Sequence, residues 1–535
     1  MTKYLMFIGE AEADARNIAI AQERGCGPVT TRWFNKLTNV DGRRAFSVPA
    51  SQTGYLNQAE QDALADTLWY QNALSGDIYV AVTGAQGGDG SIGDPVNLAT
   101  ACSALSTIAV GSTIHVQAGD YIGDFIFIHA GTVTQSINLE FEPEARIKGS
   151  FTIANAASYV VLDNLTAFDT PTVRITEDSG SSPDIATQDG LSIFGANALV
   201  THPFIEDVVL NGIGFWQSAA PGTLYGAWVL NNGWQGPDRG HGHGLYTQNE
   251  AGLKLIRNCM FAQRYGGSIR AFTTNQSMQN ITIDKCICIN DQLFLGGHSP
   301  ASSIQIINNH VWNDGLEIGE TDQGNVDVLI DGNYVTNFVN TRCLVTRFWS
   351  QLTVTNNTFV LRQNVAAAIW EMLRISPDNS VIDNNTYYYE PVPGGFKFLI
   401  YDYDTDPPTI SSLSIAEWQA LGFDVNSTFI EGLPTVNEVF VEHSTYEDDI
   451  AHVAIYNWEL LASVNVDFSV GNFTLTNTYR AYNAMNNLEY EEFVYDGNPV
   501  SIPMTGWTRK IPSGATGALT SDTWPEFLAL IVKAV

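Results

Sequence analysis

Ile304-Gln-Ile-Ile-Asn-Asn309, Val326-Asp-Val-Leu-Ile-Asp-Gly-Asn333 and Leu352-Thr-Val-Thr-Asn-Asn357 are three versions of one phrase. Each is an alternating apolar run closed by Asn and followed by a second apolar run. Related runs lie on either side: Val160-Val-Leu-Asp-Asn164, Val208-Val-Leu-Asn211, Leu255-Ile-Arg-Asn258, Ile281-Thr-Ile-Asp-Lys285 and Val381-Ile-Asp-Asn-Asn385. From Lys285 through Asn309 and Asn333 to Asn357 the step is 24 residues, widening to 28 at Asn385. A constant step of this size marks stacked units, none able to bury its own core alone. The alternation of β-branched residues reads as strand, and Asn tolerates the left-handed backbone of a tight corner. The chain is therefore read as mainly β, a right-handed parallel β-helix with one coil per repeat.

The β-helix is expected to run from about 77 to about 400. Asp94-Pro95 opens a helix over 95–108 whose Leu98, Ala101, Cys102, Leu105 and Ile108 form one stripe, suited to cover the open end of the stack. The intervals Asn164–Asn211 and Asn211–Asn258 are each 47 residues, enough for two coils or one coil with an excursion. Their Gly-, Ser-, Pro- and Trp-rich segments 175–189 and 218–250 read as long surface loops, where function concentrates on a solenoid.

Residues 1–75 read as a separate small α+β domain. Strands are expected at Lys3–Ile8, Val29–Leu37 and Arg43–Val48, with a turn at Asn39–Gly42 and helices at Ala11–Arg24 and from Asn57. After Pro391 the rhythm breaks. Residues 401–433, with a short helix near Ile415–Leu421, read as a linker. Short alternating strands from 434 to 535 read as a C-terminal β-sandwich.

Composition narrows the function. Hydrophobic residues make up 44% of the chain and charged ones 15%, which describes a packed protein. The 57 acidic and 25 basic residues give a net charge of −32, which disfavours nucleic acid and anionic membranes as partners. The N-terminus lacks the pattern of a signal peptide, and no apolar stretch is long enough to span a bilayer. Cysteines 26, 102, 259, 286, 288 and 343 have no metal-ligand spacing and read as buried reduced thiols, consistent with folding in a cytoplasm.

The sequence resembles the pectin-lyase-like β-helix superfamily. Gly84–Asn97 with Gly111-Ser-Thr-Ile-His-Val-Gln-Ala-Gly-Asp-Tyr121 is similar to the first turn of carbohydrate-active members. Arg239-Gly-His-Gly-His-Gly-Leu-Tyr-Thr-Gln-Asn249 and His452-Val-Ala-Ile-Tyr-Asn-Trp458 are similar to segments of bacterial β-helix proteins with C-terminal sandwiches. Residues 1–75 look like the virion-anchoring head of a phage receptor-binding protein. The resemblance implies a phage tailspike, a homotrimer on the virion that binds or cuts host surface glycan and attaches to other virion proteins through its N-terminal domain. A non-enzymatic virion fibre or lectin, and a secreted bacterial polysaccharide hydrolase or lyase, are the alternatives. Gly240-His241-Gly242 resembles a polygalacturonase motif, but the Asn-Thr-Asp and Arg-Ile-Lys companions are absent. The Arg and Asp/His patterns of pectate lyases are also absent, so elimination ranks below hydrolysis.

Candidate chemistry comes from a second polar column. Placing Gly214–Gln217, Met260–Gln263, Ile287–Asn290, His310–Asn313 and Tyr334–Asn337 in register stacks Gln217, Gln263, Asn290, Asn313 and Asn337. The next residues include Arg264, Asp291 and Asp314. At one coil's separation, about 4.8 Å, Asp291 and Asp314 would share a raised pKa and form a carboxyl pair suited to retaining glycoside hydrolysis. Glu317, with Glu320 and Asp322, offers a wider-spaced partner. The competing reading is a structural amide ladder in which Arg264 neutralises Asp291. His241 and His243 are alternative acid–base groups if a bulge turns them outward, and packing residues if none does. Trp234, Trp228 and Tyr246 are candidate sugar platforms, and Arg239, Arg264 and Arg270 candidate partners for an anionic substituent. No metal-ligand set is legible and no cofactor is required by this reading. Gly84–Asp94 and Asp402–Asp406 are candidate Ca²⁺ loops.

Overall fold

The computed structural model describes residues 4–6, 37–40 and 43–47, and residues 72–535 other than 182, 264, 291, 321–323, 339–341, 363–366, 374–378, 392–396 and 516–521. For 4–6, 37–40, 43–47, 72 and 367–373 it describes the backbone only. The fold is mainly β and its body is the expected parallel β-helix. Three columns of strands run the length of the stack. The first is a twelve-stranded parallel sheet from Asp77–Ala85 to Val381–Asp383. The second includes Phe204–Glu206, Trp228–Leu230, Met260–Ala262, Ile287–Ile289, His310–Trp312 and Tyr334–Asn337. The third includes Leu191–Ile193, Ile213–Phe215, Leu245–Thr247, Ile269–Thr273, Leu293–Gly297 and Leu316–Ile318.

Alternation in each strand sends every second side chain inward. Ile256, Ile283, Ile306, Ile330, Val354 and Ile382 stand directly over one another and are buried. Each coil thus depends on its neighbours for its core, and no coil is stable alone. Left-handed corners follow the first column at Asn164, His202, Gly226, Asn258, Lys285, Asn308, Gly332, Asn356 and Asn384. The residue after the corner forms a ladder. Asn309 donates from N and Nδ2 to Asn333 Oδ1, Asn333 does the same to Asn357, and Asn357 to Asn385, at 2.9–3.0 Å. Cys259 and Cys286 hold the ladder position lower in the stack, their thiols directed at the carbonyls of Leu224 and Ile256.

These corners correct the register between 164 and 258. His202 and Gly226 take the corners where Asn was sought, so three coils occupy the interval. Val208–Asn211 is not a first-column strand but the turn between the second and third columns. Gln217 likewise follows a third-column strand, and Asn231 holds its supposed place beside Gln263. Segment 218–250 is not one loop. It supplies a strand to each column and the short hairpin Trp234–Gln235 with Gly240–His241.

The ends also differ from expectation. The N-terminal capping helix is confined to Leu98–Cys102, started by Asn97 Oδ1, which accepts from Thr100 N at 2.8 Å. Ser106 Oγ donates to Thr100 O, and β-branched Thr107 and Ile108 continue as a strand beside Asn72–Leu74. At the other end the β-helix passes 400. Residues 401–433 are a cap rather than a linker: helix Ile415–Ala420, with a Ser414/Glu417 capping box, lays buried Trp418 on Phe398, and Thr428–Glu431 adds a last parallel strand. Near the N-terminus, Tyr4–Met6, Arg43–Ser47 and Leu37–Val40 form an antiparallel sheet, so the second strand covers part of the expected turn. Cys26 and the helices expected at Ala11–Arg24 and from Asn57 lie outside the described residues.

Residues 438–534 form a five-stranded antiparallel sheet with a two-stranded sheet, Ser463–Val466 and Val500–Pro503, over one face. The opposite face packs on the β-helix. Trp228, Met260, Ile287, Trp312 and Tyr334, all pointing outward from the second column, are buried against Tyr456, Met485, Phe527 and Ile531. Trp312 stacks on Phe527 at 4.7 Å. Lys285–Glu442, Glu206–Lys510 and Arg362–Glu526 ion pairs rim the joint.

Candidate functional site

With the second column covered, the third column remains open, and alternation decides what it displays. Leu191, Ile213, Leu245, Ile269, Leu293 and Leu316 point inward and are buried. The next residues, Ser192, Gly214, Tyr246, Arg270, Phe294 and Glu317, therefore form one outward row, each paired with its neighbour in register. Two positions on, Phe194, Trp216, Gln248 and Phe272 form a second row. Phe194 and Trp216 stack at 5.7 Å, nearly parallel and half-buried.

Walls rise over this floor because the turn between the second and third columns is enlarged in two coils, one on each side of the coil whose turn is only 207–212. Segments 169–190 and 231–244 are both excursions from that turn, joined by an Ile175–Gln235 bridge. Arg174 pins them from beneath. Fully buried, it pairs with Asp207 and donates to the carbonyls of Val208, Gly233 and Ser513. The result is a cleft of about 900 Å³ bounded by Trp216, Arg239, His241, His243, Tyr246 and Arg270. A shallower groove lined by Phe194, Trp216 and Gln248 continues from it along the stack. Glycines let the walls touch: a Cβ on Gly240 would lie 1.4 Å from Tyr265 O, and one on Gly266 1.7 Å from Gly242 O.

The His-Gly-His segment divides in two at Gly242, whose φ is +75°. His241 lies flat on Trp234 at 4.9 Å, with Nε2 3.0 Å from Asp238 Oδ1. That hydrogen bond holds the Asp238 carboxyl down at about 2. Trp234 is 1% exposed beneath the imidazole and Trp228 7% exposed under the sandwich, where its Nε1 donates to Ala484 O. Neither is the sugar platform the sequence suggested. The C-terminal domain covers Trp228 and the local hairpin covers Trp234, whereas the stacked pair Phe194–Trp216 is only half-buried.

His243 faces the cleft beside Tyr246, ring centroids 6.0 Å apart. Its Nδ1 accepts from Gly267 N at 2.9 Å, which leaves the ring proton on Nε2. Burial, with Arg270 and Arg239 nearby, lowers its pKa to about 3, so the ring stays neutral. Tyr246 donates to Phe272 O, and burial raises its pKa. Arg239 is largely exposed and pairs with Asp238 at 2.9 Å. Arg270 differs. Its guanidinium lies 4.2 Å from the Phe294 centroid and 5.0 Å from Phe272, half-buried, with no ion pair among the described residues.

Of the proposed carboxylates, Glu317 is engaged: Arg347 and Gln292 both donate to it. Asp314 lies in the turn between the second and third columns, its Oδ1 accepting from Gly315 N at 2.7 Å. Asp291, Arg264 and Asp322 lie outside the described residues, so the Asp291–Asp314 pair and its Arg264 neutraliser are not among the described contacts. A carboxyl that sequence reasoning missed is Asp189. It rests where a Cβ on Gly214 would be, 2.4 Å from Oδ2, beside Tyr246 in the outward row. Ser192 Oγ and Asn211 Nδ2 donate to it, and burial raises its pKa. Asn211 Oδ1 in turn accepts from His243 N. The two candidate Ca²⁺ loops instead use Asp89, Asp94 and Asp402 to accept from their own backbone N–H groups. Among the described residues neither gathers three His, Cys, Asp or Glu ligand atoms.

No family model matches the chain, and no curated protein matches it in sequence. Among solved structures it is similar to XylC bound to xylose, with 9% identity, 80% of this chain and 95% of that chain covered, and a TM-score of 0.41. It is also similar to tailspike gp49, a capsular polysaccharide depolymerase of Acinetobacter baumannii bacteriophage Fri1 (11%, 79% and 79%, 0.36). Pectate lyase Pel9A is a third (12%, 59% and 80%, 0.33).

Proposed function

We propose that the protein binds an acidic polysaccharide in the third-column cleft, as a tailspike-type protein that recognises and cleaves host surface glycan. The observation that carries the reading is Arg270. A half-buried cation between two aromatic faces, in a chain of net charge −32 and with no ion pair among the described residues, is matched to an anion from outside. Around it, Tyr246 and His243 supply neutral polar groups for sugar oxygens, and Phe194–Trp216 a face for the C–H side of the next ring. The site thus selects a ring carrying a carboxylate, with a neutral neighbour on the groove.

Cleavage requires a proton for the leaving oxygen. Asp189, whose pKa burial raises, lies over Gly214, the row neighbour of Tyr246, whereas Glu317 is tied to Arg347. Hydrolysis with Asp189 as donor takes the place of the Asp291–Asp314 pair and its wider-spaced partner Glu317. In this proposal the N-terminal segment attaches the protein to a virion, and the β-helix works as a homotrimer.

The test is binding and turnover on uronate-containing oligosaccharides beside their carboxyl-reduced counterparts. The reading expects binding only of the acidic forms, and new reducing ends that vanish in Asp189→Asn while binding persists. Binding without new ends would leave a lectin. Equal affinity for reduced and acidic forms would refute the assignment of Arg270.

A further inference from the structure

Far from the cleft, where the C-terminal domain meets the corners of the first column, three ligand-type side chains from three segments converge. Asp163 ends the strand Val160–Asp163, His202 is the left-handed corner of the next coil, and Glu447 comes from the turn after strand Glu438–His443. They form the one group of three His, Cys, Asp or Glu ligand atoms within 4.8 Å of one another among the described residues.

His202 Nδ1 is 3.4 Å from Asp163 Oδ1 and 3.4 Å from Glu447 Oε2. A charge-assisted N–H···O bond settles at about 2.7–2.9 Å, so neither contact is a good one. Ligand atoms about 2.0–2.1 Å from a shared tetrahedral ion lie roughly 3.3–3.4 Å apart along each edge, which matches both His202 contacts, and the third edge lies within 4.8 Å. The imidazole is also oriented as a ligand would be. Its side chain is 6% exposed, and Nε2 is fixed 2.9 Å from Ser444 Oγ, leaving Nδ1 turned to the two carboxylates. Thr201 Oγ1 donates to Asp163 Oδ1 and Asn164 Nδ2 to Oδ2, fixing the first carboxylate. Glu447, 44% exposed, leaves a side open to solvent.

From this geometry we infer a zinc-class site in which Asp163, His202 and Glu447 each give one ligand atom and water completes the tetrahedron. One imidazole with two carboxylates suits a borderline ion such as Zn²⁺ better than Ca²⁺, which takes six to eight oxygens. Because Glu447 belongs to the C-terminal domain and the other two to the β-helix, the ion fastens the domain to the stack. The inference is independent of the glycan reading.

The full chain, stripped with a chelator, is titrated with Zn²⁺ in excess Ca²⁺ and Mg²⁺, which occupy weak surface carboxylates. One Zn²⁺ per chain is expected, with a rise in Tm. Co²⁺ in its place should show the intense visible bands of a four-coordinate ion. Glu447→Gln, an exposed change that leaves the fold intact, should weaken zinc at least tenfold and remove the Tm rise, and His202→Gln should do the same. Absence of stoichiometric binding would overturn the site, leaving a histidine proton shared between two carboxylates. Binding and a Tm rise unchanged in Glu447→Gln would overturn it equally.

Discussion

The second and third columns of this β-helix are built from the same alternation yet meet different fates. In the second column the outward row is Phe204, Trp228, Met260, Ile287, His310 and Tyr334, and the C-terminal domain covers it. In the third the outward row is Ser192, Gly214, Tyr246, Arg270, Phe294 and Glu317, and enlarged turns wall it into a cleft. An apolar row on a solenoid flank calls for a partner from the same chain. A mixed row holding a cation that makes no ion pair among the described residues, although Glu320 and Glu317 lie near enough to favour its charge, leaves room for an anion from outside. The inward residues of both columns are alike, so function is written only in the parity that the core does not use.

The contrast is broken most severely at its covered side. Trp312→Ala, which empties the stack on Phe527, should lower stability by about 3–5 kcal/mol in denaturant unfolding while the folded variant keeps its glycan affinity. Arg270→Met addresses the open side. Loss of a hydrogen-bonded charge worth about 1.5–3 kcal/mol should weaken acidic oligosaccharide binding roughly 10–100-fold, with Tm nearly unchanged. Asn357→Ala tests the scaffold common to both columns. It leaves the N and Nδ2 groups of Asn333 without their acceptor and should cost about 1–3 kcal/mol in the same unfolding measurement.

A further effect concerns pH. His310 is buried between Phe440 and the second column, near Lys285, whose charge Glu442 pairs; burial and that lysine lower its pKa to about 3. The unfolded chain takes up this proton near pH 6.5 and the native chain does not. Its contribution is therefore complete above about pH 6.5 and declines as pH falls toward 3. In His310→Phe the stability measured between pH 6 and 4 should fall less steeply than in the parent chain.

Much of the fold is legible because between 285 and 385 the corners recur at a nearly regular step, widening only at Asn384, over a β-branched core. The register fails between 164 and 258, where His202 and Gly226 adopt the left-handed corner and Val208–Asn211 mimics a strand from within a turn. Left-handed geometry, not Asn itself, is what repeats. His241, His243, Tyr246, Arg239 and Arg270 were singled out by residue type and sequence context, and the structure gathers them round one cleft. Trp228 and Trp234 were misjudged since the surfaces covering them come from a distant domain and a local hairpin. Trp216 was recoverable: Ile213 and Phe215 face inward, so Gly214 and Trp216 must face out. Asp189 carried no signal, because only the missing side chain of Gly214 makes room for it.

The most direct test is a calorimetric titration of the intact chain with an acidic oligosaccharide and with the same oligosaccharide after carboxyl reduction. Heat of binding is expected for the first, none for the second, and loss of the first in Arg270→Met. Tight binding of the reduced sugar, or full affinity in Arg270→Met, would contradict the claim that the open column is an anionic-glycan site.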